Sequence, residues 1–449
     1  MDKRGLQPDR IEQFHLDELV VALPHLGAVL AELGRLGAGP DKGEPDERLD
    51  LALVKLGATG QAVARLEAED PEGFAAKRQE VERERGQAPP PIDLLLWGLR
   101  ERFRGMHDGW IPTMGKNRVL RPVTGEYVIG GGDEGRPRPP GEYVIGGGGE
   151  RPPAPPDVQW PFPARGTPEL GGVDAGRGVR VGVLDTQLAA HPWLAGTYVA
   201  EPDAMLSDPS RLEAKPRWPE GHATFVAGLI VREAPAVQLD VRLGLTREDA
   251  TADTWNVAKA LVRFAHSGAH VLNLSLGCFT EDNAAPLVLA RAIDKLDPEL
   301  VVVAAAGNHG ATRPDDVKPQ APRPRAPLWP AALDDVVAVG ATNGATNDDD
   351  RDRAPFSPDA AWVDLMAPGV DVTSTYLTGD VDGDEDPFPT YFPGYARWSG
   401  TSFATAIVSG AIAGGTEPGR VSAREALGSL LRPPQWRAGN GKPFVARRT

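Results

Sequence analysis

With 449 residues the chain has room for two or three domains, or for one large enzyme domain with an appendage. Its 48 Lys and Arg against 63 Asp and Glu leave a formal charge of −15, which argues against nucleic acid as a partner, because such binding needs clustered cations. No stretch is long and apolar enough to span a bilayer. The mixed charges of MDKRGLQPDRIEQFHLDELV lack a signal peptide's apolar core, and a single cysteine, Cys278, excludes an internal disulfide. Together these predict a cytoplasmic protein with no membrane partner.

Residues 1–104 read as a small α-helical accessory region. LDELVVALPHLGAVLAELGRLG and RLDLALVKLGATGQAVARLEAE space their apolar residues by three and four, as amphipathic helices do. EGFAAKRQEVERERG continues as a charged helix, and a small helical bundle is the expectation. Residues 105–171 are rich in Gly, Pro and Arg and read as a linker. GEYVIGGG occurs there twice, at Gly125–Gly132 and Gly141–Gly148.

From residue 172 to 435 the rhythm changes. VRVGVLDT, QLDVRLGL, AHVLNLSLG, LVVVAAAGN and DVVAVGAT are short β-branched runs suited to strands buried on both faces. Helical patterns alternate with them (DTWNVAKALVRFAHSG, PLVLARAIDKLD), which predicts an α/β fold with a mostly parallel sheet. Residues 436–449 are left as a tail. In such sheets chemistry collects at the carboxyl ends of the strands. Asp185 ends one run. His222, in EGHATFVAGLI, starts a helix of small residues. Asn308 ends VVVAAAGN, and Ser402, in WSGTSFATAIVSGAIAG, opens a second small-residue helix. A structural carboxylate, a surface histidine, a turn asparagine and an N-cap serine are the plainer readings of each alone.

In the order Asp, His, Asn, Ser, these residues resemble the subtilisin-like serine peptidases (subtilases, S8) over about Val179–Leu431. The matching stretches are VGVLDT, GHATFVAG, VLNLSLG, AAAGN, DDVVAVGAT, APG and SGTSFATA. The resemblance implies the three-layer subtilisin-like fold and a serine endopeptidase working through an Asp-His-Ser triad, with a protein or peptide substrate. Ser402 would be the nucleophile, His222 the general base and acid, and Asp185 its orienting carboxylate. Asn308 would be an oxyanion donor with the Ser402 N–H. Ser275, Leu276 and Gly277, and Ala304, Ala305, Ala306 and Gly307, would hold an extended substrate by main-chain bonds.

Several positions depart from the family pattern. Gln187 stands where glycine is usual, Ala223 and Phe225 alter the histidine motif, and Phe403, Ala406 and Ile407 follow the serine. An impaired homologue acting as a peptide-binding or regulatory scaffold is the competing reading. The usual loop for a structural calcium is shortened to LIVREAPAVQLDVRL, so no cofactor is required and no metal site is assigned, with a structural calcium left as an open alternative. The acidic GDVDGDEDPF (Gly379–Phe388) reads as a solvated loop. Cys278 reads as a buried small residue. Residues 1–104 occupy the place of a family prosegment, so they either fold or inhibit the peptidase or recruit a regulatory partner. Two readings of the repeat stand side by side: a duplicated linker, or a latch or self-cleavage segment for the enzyme's own cleft.

Overall fold

Val181, Val183 and Leu184 are fully buried in β5 (Arg180–Asp185), a strand with neighbours on both sides, as its β-branched run requires. The computed structural model describes residues 12–122, 173–206, 215–246, 251–310, 323–343, 353–382 and 390–431. They divide into two compact units.

The first unit takes the chain up to Val119, together with 253–262 and 284–295. In chain order its first segment carries β1 (Phe14–Ala22), α1 (Leu26–Arg35), β2 (Glu44–Asp46), β3 (Leu51–Lys55), α2 (Thr59–Glu69), α3 (Pro71–Arg85), α4 (Pro91–Met106) and the start of β4 (Met114–Pro122). The four strands lie in the order β4-β1-β3-β2. The four helices match the helical expectation for this region, but the strands correct the bundle. LDELVVALPHLGAVL and RLDLALVKLGATGQAV are each half strand and half helix. β1 runs between β3 and β4, so Leu19, Val20, Val21 and Ala22 are all buried, and a run buried on both faces carries no alternation to mark it as a strand. Pro24 then breaks the chain into a 3₁₀ turn before α1, and a single helical period read across that break is spurious. β4 likewise falls in the stretch expected to be linker.

The second unit carries β5, β6 (Tyr198–Ala200), α5 (His222–Glu233) and β7 (Gln238–Leu243), with β8 (Ala252–Asp253) and α6 (Thr254–Leu261) following in the chain. After these come β9 (Val271–Leu274), β10 (Leu276–Gly277), α7 (Leu287–Asp294), β11 (Val301–Ala305), β12 (Val336–Thr342) and β13 (Leu365–Pro368). A hairpin of β14 (Val372–Val381) and β15 (Thr390–Trp398) precedes α8 (Thr401–Gly415) and α9 (Ala423–Leu431). Helices α6 and α7 belong to the first unit, where Asn117 caps α6 by accepting from Thr254 Oγ1 (2.9 Å) and the Trp255 N–H (3.0 Å).

Seven strands form one parallel sheet in the order β13-β12-β11-β9-β5-β7-β6. Chain order reverses at β5, which lies between β7 and β9. This is a topological switch point, where the strands' carboxyl ends open a crevice. Asp185 ends β5 there, and Ser275 follows β9. The α/β fold with a mostly parallel central sheet is as expected. The GEYVIGGG repeat, the 436–449 tail and all but Gly379–Asp382 of the acidic segment lie outside the described residues.

Candidate active site

Asp185 accepts two hydrogen bonds on Oδ1, from the Thr186 N–H (2.7 Å) and from His222 Nδ1 (2.7 Å). Both side chains are fully buried. With a carboxylate as acceptor, Nδ1 carries the imidazole proton, so the lone pair of the neutral ring sits on Nε2. Nε2 is buried and has no hydrogen-bond partner. Asp185 Oδ2 and His309 Nδ1 are likewise buried without a protein partner.

His222 is held at the first turn of α5 by what surrounds that turn. Thr186 Oγ1 accepts from the Ala223 N–H (3.1 Å), and Thr224 Oγ1 accepts from the Ala189 N–H (2.9 Å), tying α5 to the chain leaving β5. Gly221 has to lack a side chain, because a Cβ there would collide with the ring of Tyr376. That ring is fixed by its hydroxyl, which donates to the Trp218 carbonyl (2.6 Å), and burial pushes the phenol far up from its ordinary range.

Ser402 is the second residue of α8, where the helix supplies no partner for the backbone N–H. Its Oγ donates to the Ser275 carbonyl (3.4 Å), and Ser275 Oγ donates to the Ser402 carbonyl (3.2 Å). Asn273 Nδ2 donates to Ser275 Oγ (3.0 Å), and Ser409 Oγ donates to Asn273 Oδ1 (3.0 Å). Asn308 presents its amide oxygen to Thr401, accepting from the backbone N–H (2.9 Å) and from Oγ1 (3.1 Å). Thr401 Oγ1 in turn accepts from the Gly307 N–H (3.0 Å). This chain fixes the amide's orientation, with Nδ2 directed away from Thr401.

Asp185 and His222 are thus joined directly, Ser275 is joined to Ser402, and Asn308 to the residue before Ser402. Phe403, next to the serine, brings its ring to 5.7 Å from the His222 ring. Leu276 and Gly277 form β10, Ala304 and Ala305 end β11, and Ala306 and Gly307 follow it. On β10 the chain pairs with itself: Gly277 with Arg121 and Leu276 with Pro122, antiparallel, all within the second unit. Asp185, His222, Asn308 and Ser402 are all buried.

The departures from the family pattern are now explained in part. Gln187 turns outward and donates from Nε2 to the Asp203 carbonyl (2.8 Å). Phe225 and Phe403 touch each other, with ring centroids 4.5 Å apart, and both contact Trp398, which stands edge-on to His222 at 5.6 Å. The two replacements form one aromatic cluster beside the imidazole. Sequence reasoning missed Asn273, Ser409, Thr401 and Trp398 as parts of the site. Asn273 lies in VLNLSLG, where an amide inside an apolar strand was the available signal. Cys278 is buried, as expected, and its N–H donates to the Trp329 carbonyl (2.9 Å).

Among the described residues, no cluster of three His, Cys, Asp or Glu is arranged to hold a metal ion, and no helix is long and apolar enough to cross a membrane. A cavity of about 420 Å³, lined by Val179, Arg180, Gln238 and His270 among others, lies at the amino ends of β5 and β7. That is the opposite end of the sheet from Asp185.

A family model described as the subtilase family matches residues 176–418, and the chain belongs to that family. It is 32% identical over 245 residues to a thermophilic serine proteinase of Bacillus sp. (strain AK1), covering 52% of this chain and 51% of that protein. It is also 32% identical over 252 residues to subtilisin BL of Lederbergia lenta, covering 53% of this chain and 76% of that one. The chain thus spans about half the length of the first relative. A crystal structure of a cold adapted subtilisin-like serine proteinase matches at 26% identity and a TM-score of 0.41, over 57% of this chain and 82% of that chain.

Proposed function

We propose that the chain is a serine endopeptidase whose triad is Asp185, His222 and Ser402. The observation that carries this reading is the polarised imidazole. Its Nδ1 proton is committed to a buried carboxylate, and its buried Nε2 is without a partner. In that state the ring accepts a proton from Ser402 Oγ as the oxygen attacks the scissile carbonyl. The imidazolium, stabilised by Asp185, then delivers the proton to the leaving amine. Water, deprotonated by the same nitrogen, releases the acyl group. Asn308 Nδ2 and the Ser402 N–H would bind the tetrahedral oxyanion, and one such donor is worth about 3–4 kcal/mol of barrier.

The substrate would lie extended against Ser275–Gly277 and Ala304–Gly307. The pairing of Arg121 and Pro122 with Gly277 and Leu276 supports this, because it is the strand addition a peptide would use. It also supports a latent form, in which the chain's own residues cover β10 until they leave. Arg121 and Pro122 lie just before the first copy of GEYVIGGG. No metal enters this mechanism, so a chelator should leave the rate of fluorophosphonate labelling of the folded chain unchanged.

A fluorophosphonate probe tests the triad on the full-length chain, with incubation long enough for the covering residues to exchange. Wild type should be labelled at one site. Ser402→Ala should lose the label, and its peptidase rate should fall by roughly 10⁴-fold or more. Wild type that never reacts would overturn the enzyme in favour of a peptide-binding scaffold.

A further inference from the structure

The strands flanking Ser402 each contribute a residue with no side chain, Gly277 on one and Gly307 on the other. Space bounded by two glycines is where a substrate side chain would be expected to enter. In this chain it is filled by Leu328. A Cβ on Gly277 would lie 2.7 Å from Leu328 Cγ and 2.9 Å from its Cδ2, and a Cβ on Gly307 would lie 3.2 Å from the same Cδ2. One isobutyl group therefore reaches both glycines.

Leu328 is 3% exposed, and its backbone is pinned. The next residue, Trp329, exchanges both main-chain hydrogen bonds with Cys278 (2.9 and 3.0 Å), directly after Gly277. The Trp329 indole N–H donates to Thr280 Oγ1 (3.1 Å), and the Leu328 carbonyl accepts from the Ala332 N–H (2.9 Å). Behind Gly307, His309 closes the floor. Its Nδ1 lies 2.7 Å from the position a Gly307 Cβ would take, its Nε2–H donates to the Ala326 carbonyl (2.9 Å), and Phe279 stands edge-on to it at 4.7 Å. Gly307 itself sits at φ +101, which excludes a larger residue there. The wall, the plug and the floor are each fixed by separate contacts.

We infer that Leu328 closes the primary specificity slot to all but small side chains, so that the substrates are peptides with Gly, Ala or Ser before the scissile bond. This rests on the endopeptidase reading above. A larger side chain would have to expel a buried leucine from between two backbones, and close-packed interiors resist that insertion. A charged side chain fares worse, because the plug it meets is aliphatic.

Tripeptidyl phosphonates that differ only in the residue next to phosphorus (Ala, Leu or Phe) test this on the full-length chain, with labelling read by intact mass. Wild type should react with the Ala probe about 100-fold faster than with the Phe probe, the range over which apolar pockets discriminate. In Leu328→Gly the Phe probe should gain about thirtyfold while the Ala probe changes less than about threefold. Leu328→Ala, a milder cavity, should give an intermediate gain on the Leu probe if the glycine variant does not fold. Equal wild-type rates for Ala and Phe, or ratios unmoved by either variant, would overturn the inference. A plain alkyl fluorophosphonate separates the two levels. If it labels wild type while the peptidyl probes show no size preference, the slot falls and the enzyme stands. If it too is silent, both fall.

Discussion

In the first unit the buried polar groups include a charged cluster as well as the neutral Asn117 and Thr254. Glu12, 2% exposed, takes Lys116 Nζ at 2.8 Å and Arg118 Nε at 2.6 Å, and Lys116 also reaches Asp93 at 2.7 Å while lying over the Phe14 ring. Around Ser402 in the second unit, Asp185 apart, the buried polar groups are neutral. They are the amides of Asn273 and Asn308 and the hydroxyls of Ser275, Thr401 and Ser409. Buried ion pairs hold a fold together only while both partners remain, since a lone buried charge has nothing to offset its desolvation. Neutral dipoles are cheaper to bury, and they can be aimed without imposing a net charge on the crevice. Charge thus fastens part of the first unit, whereas neutral dipoles surround Ser402.

Breaking the charged side of this contrast should have the largest effect on stability. Lys116→Met removes one buried cation from Glu12 and should cost about 3–5 kcal/mol in urea unfolding of the full chain. Replacing Glu12 and Lys116 together by apolar residues should cost much less, and a double cost as large as the single one would show that packing, not charge, is lost.

The slot floor gives a pH-dependent test within the second unit. Burial holds the His309 imidazole down at about 4, against an ordinary value near 6.5. As pH falls, the unfolded chain takes up that proton first. The stability tied to this site is therefore complete above pH 6.5 and is lost as pH drops from 6.5 to about 4, by roughly 3 kcal/mol. His309→Asn should flatten this part of the stability curve, and an unchanged slope would refute the assignment.

The smallest effect belongs to the neutral network. Asn273→Ala strands Ser275 and Ser409 and should cost about 1–3 kcal/mol, with Ser409→Ala nearer 1. The two should be coupled in a double-mutant cycle, and strict additivity would mean that they do not act as one network.

Much of the candidate site was legible because Asp185 and Asn308 stand at or just past the ends of apolar runs, while His222 and Ser402 open small-residue helices after a glycine. Leu328 carries no such mark. It lies in a loop between β11 and β12, and only the fold brings it to Gly277 and Gly307. Phe225 and Phe403 read as separate departures for the same reason, since their contact is made by α5 packing on α8. In the first unit the amphipathic period misled because β1 is buried on both faces and runs into α1 across Pro24. A helical wheel fits such a run as well as a strand does.

The pairing of Arg121 and Pro122 with β10 has a consequence for kinetics. On the endopeptidase reading proposed above, both partners belong to one chain, so an incoming peptide competes with a tethered rival whose effective concentration is on the order of millimolar. Apparent affinity measured on the intact chain should therefore understate what the bare cleft can bind. The strength of that tether sets the substrate concentration at which the chain's own residues give way.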